Sequence, residues 1–209
     1  MKHAVILAHP ASDSLNAEIA RTYAAELRTL GEEVVWRDLY RMRWDPVLKA
    51  AEIPGRPGPA HFYKDVITER SRIEDADVFA FVYPIWFNAP PAILKGYVDR
   101  VFGMGFGFEA AFGGVEPRLN GRRLISLTTS GAPDFWLYET GALADLMRSF
   151  DMYLAHACGL TVADHAHFGG IVAGIRTEAV ADILSQVRAA ANRCVAGALA
   201  RDVSPLTQT

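Results

Sequence analysis

Ala4-Val5-Ile6-Leu7-Ala8-His9-Pro10-Ala11-Ser12-Asp13-Ser14-Leu15-Asn16, close to the start of the chain, decides how the rest is read. The unbroken apolar run Ala4–Ala8 predicts a strand covered on both faces, the kind found in parallel sheets. Ser12, Asp13 and Ser14 then supply helix-capping side chains. Ile19, Tyr23, Leu27 and Leu30 recur at helical spacing until Gly31 ends the helix. Val34-Val35-Trp36 is a short second strand, so the chain opens as a βαβ unit.

The same alternation continues outward. Residues 41–64, with Pro46, Pro54, Pro57 and Pro59 beside Gly55 and Gly58, read as a long surface excursion, with a helix resuming over 65–75. Asp77–Tyr83 is a third, buried and aromatic strand, and Pro91–Val101 a helix. A glycine-rich loop over 103–121 closes at Asn120-Gly121. Leu124–Thr128 is the fourth strand, 136–156 a helix, 160–163 a fifth strand and 177–198 the closing helix. Strands alternating with helices predict an open, doubly wound α/β sheet of five parallel strands in the order 2-1-3-4-5, with helices on both faces. The expected organisation is one domain over 1–200 and a frayed tail over 201–209.

Composition narrows the function classes. The 209 residues are 51% apolar and 22% charged, with a net charge of −3, enough for a core without metal or disulfide support. The lack of a basic run argues against a nucleic-acid partner. Two distant cysteines, Cys158 and Cys194, suit a reducing compartment. The longest apolar stretch, Val78–Leu94, is broken by prolines and shorter than the roughly 20 residues that span a bilayer. A soluble, cytoplasmic protein without membrane insertion is expected.

Ligands of doubly wound sheets bind beyond the carboxyl ends of the strands, near the point where strand order reverses. That directs attention to three loops. The first, His9–Asn16, lies at a helix N-terminus, where free N–H groups attract a phosphate; the competing reading is that its Ser and Asp only cap the helix. The second, Pro84-Ile85-Trp86-Phe87-Asn88 running into Pro90-Pro91, is a stiff apolar wall suited to a flat heteroaromatic ring, or else to a core or an interface. The third, Thr128-Thr129-Ser130-Gly131, offers hydroxyls beside a flexible glycine. P-loop, GxGxxG and GxSxG patterns are lacking in their required contexts. His165 and His167 beside Asp164 could suggest a metal, but no further ligand stands at a familiar spacing, so a strand-end pair without metal is expected.

Taken together, these residues resemble the NAD(P)H:quinone oxidoreductase (DT-diaphorase-like) family, flavodoxin-like flavoproteins. The resemblance rests on Ala8-His9 with Ser14-Leu15-Asn16, on Asp38-Leu39-Tyr40, on Pro91–Gly96 running to Asp99–Phe102, on Leu119–Arg122 leading into Thr128-Thr129, and on Cys158-Gly159. It implies a homodimer with the flavin at its interface, and hydride transfer from NAD(P)H through flavin N5 to a quinone or similar small electrophile. By position, His9, Ser14, Leu15 and Asn16 would hold the phosphate and ribityl portion. Pro84, Ile85, Trp86, Phe87 and Asn88 would line the ring, and Thr128, Thr129, Ser130 and Gly131 would meet its polar edge. A loop opened by His resembles the FAD-binding branch, with FMN the alternative.

The departures lie on the acceptor side. The family's catalytic Tyr and His fall on Trp136 and Ala142, leaving Tyr138 as the nearby candidate catalytic residue. Its substrate-side tyrosines fall on Gly107 and Glu109, leaving Phe106, Phe108 and Trp136 to line the substrate. Two other readings stay open: a flavoprotein regulatory or ancillary subunit, and a flavodoxin-type electron carrier.

Overall fold

In β1, Lys2–Leu7, successive side chains point to opposite faces of the sheet, and both sets are buried. Ala4 and Ile6 join one apolar cluster and Val5 and Leu7 a second, which is why the run is continuous rather than alternating. The computed structural model describes residues 1–53 and 62–202, with side chains described as far as 197. The remaining strands are β2 (Glu33–Asp38), β3 (Val78–Pro84), β4 (Phe108–Ala111), β5 (Gly114–Pro117), β6 (Arg123–Thr129) and β7 (Thr161–Phe168). One sheet of five parallel strands runs β2-β1-β3-β6-β7. This is the expected 2-1-3-4-5 order, because β4 and β5 form a separate hairpin.

The helices are α1 (Leu15–Thr29), α2 (Lys64–Ile73), α3 (Ala92–Val101), α4 (Asp134–Glu139), α5 (Ala142–Leu146), α6 (Tyr153–Cys158) and α7 (Thr177–Asp202). Ile19, Tyr23 and Leu27 of α1 pack with Val187, Ala190 and Cys194 of α7 under one face of the sheet. Val66 and Ile73 of α2, Leu94, Tyr97 and Val101 of α3, and Leu154 of α6 cover the other. Among the described residues, no helix is long and apolar enough to cross a membrane.

The structure departs from the expected elements in five places. The loop over 103–121 contains the antiparallel hairpin β4–β5, turned at Gly113 with φ +81°. The helix over 136–156 is broken at Gly141, whose φ of +72° starts α5 afresh, and Met147–Met152 widens into a π-helical stretch before α6. The last strand runs to Phe168 rather than 163. The excursion over 41–64 is not wholly on the surface. Trp44 and Glu52 are buried, and the Arg100 guanidinium of α3 binds Glu52, Asp65 and the Asp45 carbonyl. Its prolines and glycines over 54–59 lie outside the described residues. Helix α7 continues through Asp202, and the tail from 203 onward is likewise outside them.

Gly96 of α3 shows how closely that excursion is seated. A β-carbon there would overlap the carbonyl oxygen and side chain of Pro46. In an exposed helix Gly→Ala gains about 1 kcal/mol. Here the overlap is with backbone, and overpacking costs about 1–3 kcal/mol. Gly96→Ala is therefore expected to lower the midpoint of denaturant unfolding, against the sign that helix propensity alone predicts.

Candidate active site

The site lies where β1 and β3 end side by side and their chains part. After β1, Ala8 N–H donates to the Val82 carbonyl at 2.9 Å, holding the first loop against β3. The loop closes on itself: Ala11 N–H donates to His9 Nδ1 at 3.0 Å, and Ser14 Oγ donates to the Ala11 carbonyl at 2.8 Å. Ser14 Oγ also accepts from Ala17 N–H, so it caps α1. The capping reading thus describes Ser14. The helix start still presents first-turn N–H groups that have no acceptor within a helix. Asp13 is exposed.

Asn16 ties the first loop to the third. Its Oδ1 accepts from Thr129 Oγ1 at 2.9 Å, which leaves Nδ2 as a buried donor without a partner. An unsatisfied buried donor costs about 1–3 kcal/mol, so its place on the cleft wall fits a ligand acceptor such as a phosphate or ribityl oxygen.

The second loop is a tight turn in which Trp86 and Ala89 exchange backbone hydrogen bonds, both at 3.0 Å. Phe87 and Asn88 at its tip have φ of +50° and +55°. Glycine would take this conformation freely; a phenylalanine there is strained, a feature that gathers at ligand sites. Asn88 Nδ2 steadies the turn by donating to the Ala142 carbonyl at 3.0 Å. Trp86 is 43% exposed and Phe87 stands fully free of its own chain. The His9 and Trp86 rings lie 6.3 Å apart, spanning the mouth between the two loops.

These loops bound a cleft of about 360 Å³. His9, Ser14, Leu15 and Asn16 form one end, Pro84, Ile85 and Trp86 one wall, and Thr129, Ser130 and Gly131 another. Ile171, Val172 and Ala173, after β7, complete it and were not anticipated. Their side chains carry no distinctive chemistry; the signal was positional, since β7 also ends at this edge.

Other anticipated residues lie elsewhere. Thr128 is fully buried, with its hydroxyl between His165 Nε2 and His167 Nδ1 at 3.0 and 2.9 Å. Phe87 and Asn88 form the rim rather than the wall. Phe106 does not reach the cleft: it is buried against Phe79 and Phe102. Phe108 lines a second cavity of about 260 Å³ between α3 and α6, none of whose walls belongs to the three loops. Trp136 and Tyr138 lie on α4, directly after the third loop, 49% and 69% exposed and outside the cleft wall.

His165 and His167 point inward from β7. His165 Nδ1 contacts the buried Asp151 carboxylate, and His167 Nε2 contacts Ser130 Oγ at 3.1 Å. Asp164 turns the other way, to Arg193. Among the described residues, no group of three His, Cys, Asp or Glu could hold a metal ion. Burial, reinforced by His165 and opposed by Asp134, lowers the His167 pKa to about 4.

The model describing the flavodoxin-like fold matches residues 1–192. The chain belongs to this flavodoxin-like family. Within it, the chain is 30% identical over 179 residues to NAD(P)H dehydrogenase [quinone] 1 of Cavia porcellus, covering 77% of this chain and 65% of that protein, just under two thirds. It is 31% identical to an uncharacterized NAD(P)H oxidoreductase of Haemophilus influenzae, over 82% of this chain and 85% of that one. Among solved structures, the NAD(P)H:quinone oxidoreductase of Methanothermobacter marburgensis superposes with a TM-score of 0.76 at 28% identity, covering 91% and 95% of the two chains. Two of these three relatives are thus named as NAD(P)H-dependent quinone enzymes, and the third as an NAD(P)H oxidoreductase.

Acid should loosen the fold through two buried rings. His3 resembles His167: burial pushes its pKa down to about 4. Unfolded, both rings take a proton near 6.5. Folded, they refuse it, so their contribution is full above about 6.5 and falls as pH drops toward about 4. His3→Leu is expected to make the fall of unfolding free energy across this window shallower, measured by denaturant titration at stepped pH.

Proposed function

We propose that this flavodoxin-like chain is a flavin-dependent NAD(P)H oxidoreductase that passes a hydride from NAD(P)H to a quinone or similar electrophile. The observation that carries this reading is the cleft itself. It has an anion-attracting helix start and the unpartnered Asn16 Nδ2 at one end, and a strained aromatic turn at the other. A flavin has this division, phosphate to ring.

When bound, the flavin supplies the two-electron, hydride-accepting chemistry. The chain's own residues do the positioning. The α1 start and Asn16 hold the phosphate and ribityl end. Pro84, Ile85 and Trp86 press on the ring and exclude water, while Thr129, Ser130 and Gly131 direct hydrogen-bonding groups at its polar edge. Thr128, behind them, positions rather than contacts. The His9-opened loop favours FAD, with FMN the alternative that chromatography of the released chromophore distinguishes.

A homodimer completes the site in this reading. Phe87, Trp136 and Tyr138 are exposed aromatics next to the cleft, and a second subunit would cover them and bring Tyr138 toward the acceptor. The two free, buried cysteines agree with a reducing cytoplasm. Burial pushes the Cys158 thiol up to about 12, which keeps it inert. One observation favours a regulatory flavoprotein instead: Trp136 and Ala142 stand where the family's catalytic Tyr and His are expected.

NAD(P)H oxidation with a quinone separates the two readings: turnover is expected, and a flavin-loaded protein without turnover supports the regulatory one. Trp86→Ala should weaken flavin binding by about 1–3 kcal/mol, the value of burying and stacking one large ring. Unchanged affinity would place Trp86 outside the flavin site.

A further inference from the structure

Behind the cleft wall, five side chains form an unbroken hydrogen-bonded file. Asp151, from the π-helical stretch, meets His165 Nδ1; His165 Nε2 meets Thr128 Oγ1 at 3.0 Å. Thr128 Oγ1 meets His167 Nδ1 at 2.9 Å, and His167 Nε2 meets Ser130 Oγ at 3.1 Å. Ser130 lines the cleft, whereas the Asp151 and His165 side chains are fully buried.

We propose that this file is a one-proton wire, in which a proton held on His165 inside the fold exchanges with the cleft through Ser130.

The heavy atoms accommodate two complete arrangements that differ by one proton. In the first, His165 Nδ1–H donates to Asp151, Thr128 to His165 Nε2, His167 Nδ1–H to Thr128, and Ser130 to His167 Nε2. In the second, His165 is an imidazolium. Its Nε2–H donates to Thr128, Thr128 donates to His167 Nδ1, and His167 Nε2–H donates to Ser130. Ser130 then donates to the Ala132 carbonyl, which lies 2.9 Å away as this arrangement requires. Every donor has an acceptor in both.

Release is a sequence of balanced hops. Ser130 gives its hydroxyl proton to an acceptor in the cleft and takes the Nε2 proton of His167. His167 Nδ1 takes the Thr128 proton, and Thr128 takes the Nε2 proton of His165. His165 ends neutral, the cleft gains one proton, and no other group changes charge.

The surroundings explain where the proton rests. The buried Asp151 carboxylate faces His165 and the Ser126 hydroxyl, which donates to it at 2.9 Å. A buried carboxylate calls for a counter-charge, and His165 is the titratable group in place to supply one. From β3, Tyr83 stays neutral because burial raises its pKa. His167, its pKa lowered, is neutral in both arrangements, with Asp134 3.8 Å from its Nε2. Asp164 faces Arg193 instead. Use of the wire in turnover rests on the flavin reading above: a hydride brings two electrons without a free proton, so the reduced cleft needs one. The wire itself does not depend on that reading.

The test is nitrogen-15 NMR of histidine-labelled full-length protein, titrated downward from about pH 9 to about pH 5. At one shared midpoint, His165 should gain a proton while His167 exchanges its protonated nitrogen from Nδ1 to Nε2 and gains no charge. In Thr128→Val the exchange at His167 should be lost. A wild-type His167 that keeps one tautomer while His165 titrates, that charges at its own midpoint, or that stays fixed along with an unresponsive His165 overturns the proposal. A protein that binds no flavin yet shows the joint switch would keep the wire and remove the flavin reading; a flavin-loaded protein without the switch would do the reverse.

Discussion

The constraint on which the rest depends is the reversal of strand order at β1. From β1 the chain moves outward to β2, then returns past β1 to β3. Connections between parallel strands keep one hand, so the helices on either side of this point pack on opposite faces of the sheet. The loops after β1 and β3 must therefore diverge, and a cleft opens between them whatever side chains line it. Leu15 and Asn16 at the start of α1, and Trp86 in the turn before α3, are placed by that divergence.

A cleft made by topology still has to be held in shape, and here polar side chains do much of that. Thr129 and Asn16 bind the third loop to the first across the sheet edge, and the Asn88 amide anchors the strained turn to α5. On the face that α3 covers, Arg100 gathers Glu52, Asp65 and the Asp45 carbonyl. Buried ion pairs of this kind are weak sources of net stability. Their consequence is geometric: an irregular, proline-containing segment is fastened to α3, whose N-terminal end follows the aromatic turn.

The sheet and the three loops were legible because their signals are local. Ala4–Ala8 is apolar at every position, as burial on both faces demands, and Ser14 caps α1 as its position before the helix suggests. The hairpin β4–β5 was not, since Phe108-Glu109-Ala110-Ala111 is short, half exposed and without alternation. Gly141 could be seen as a breaker, but Met147–Met152 holds no glycine or proline to mark a change of helix. Phe106 turns into the core against Phe79 and Phe102, and spacing alone does not show which way a glycine-flanked ring turns. Asp151 reads as a solvated helix position, and its burial follows from a widened turn that local pattern does not reveal. The inward pair His165 and His167 was half legible: residues two apart on a strand share a face, with Asp164 on the other. Their partners come from β6 and the π-helical stretch, far away in sequence.

The account joins a fold that creates a cleft, an unpartnered donor and strained aromatic turn that suit a flavin, and relatives that are quinone oxidoreductases. Its central claim is hydride transfer into a flavin held by this cleft. The most direct measurement is the visible absorption spectrum of the purified, flavin-loaded protein during anaerobic addition of NADPH, then NADH. The account predicts a yellow protein whose flavin band bleaches fully with one equivalent of reduced nucleotide. A protein that takes up no flavin, or whose flavin stays oxidised with both nucleotides, would contradict it.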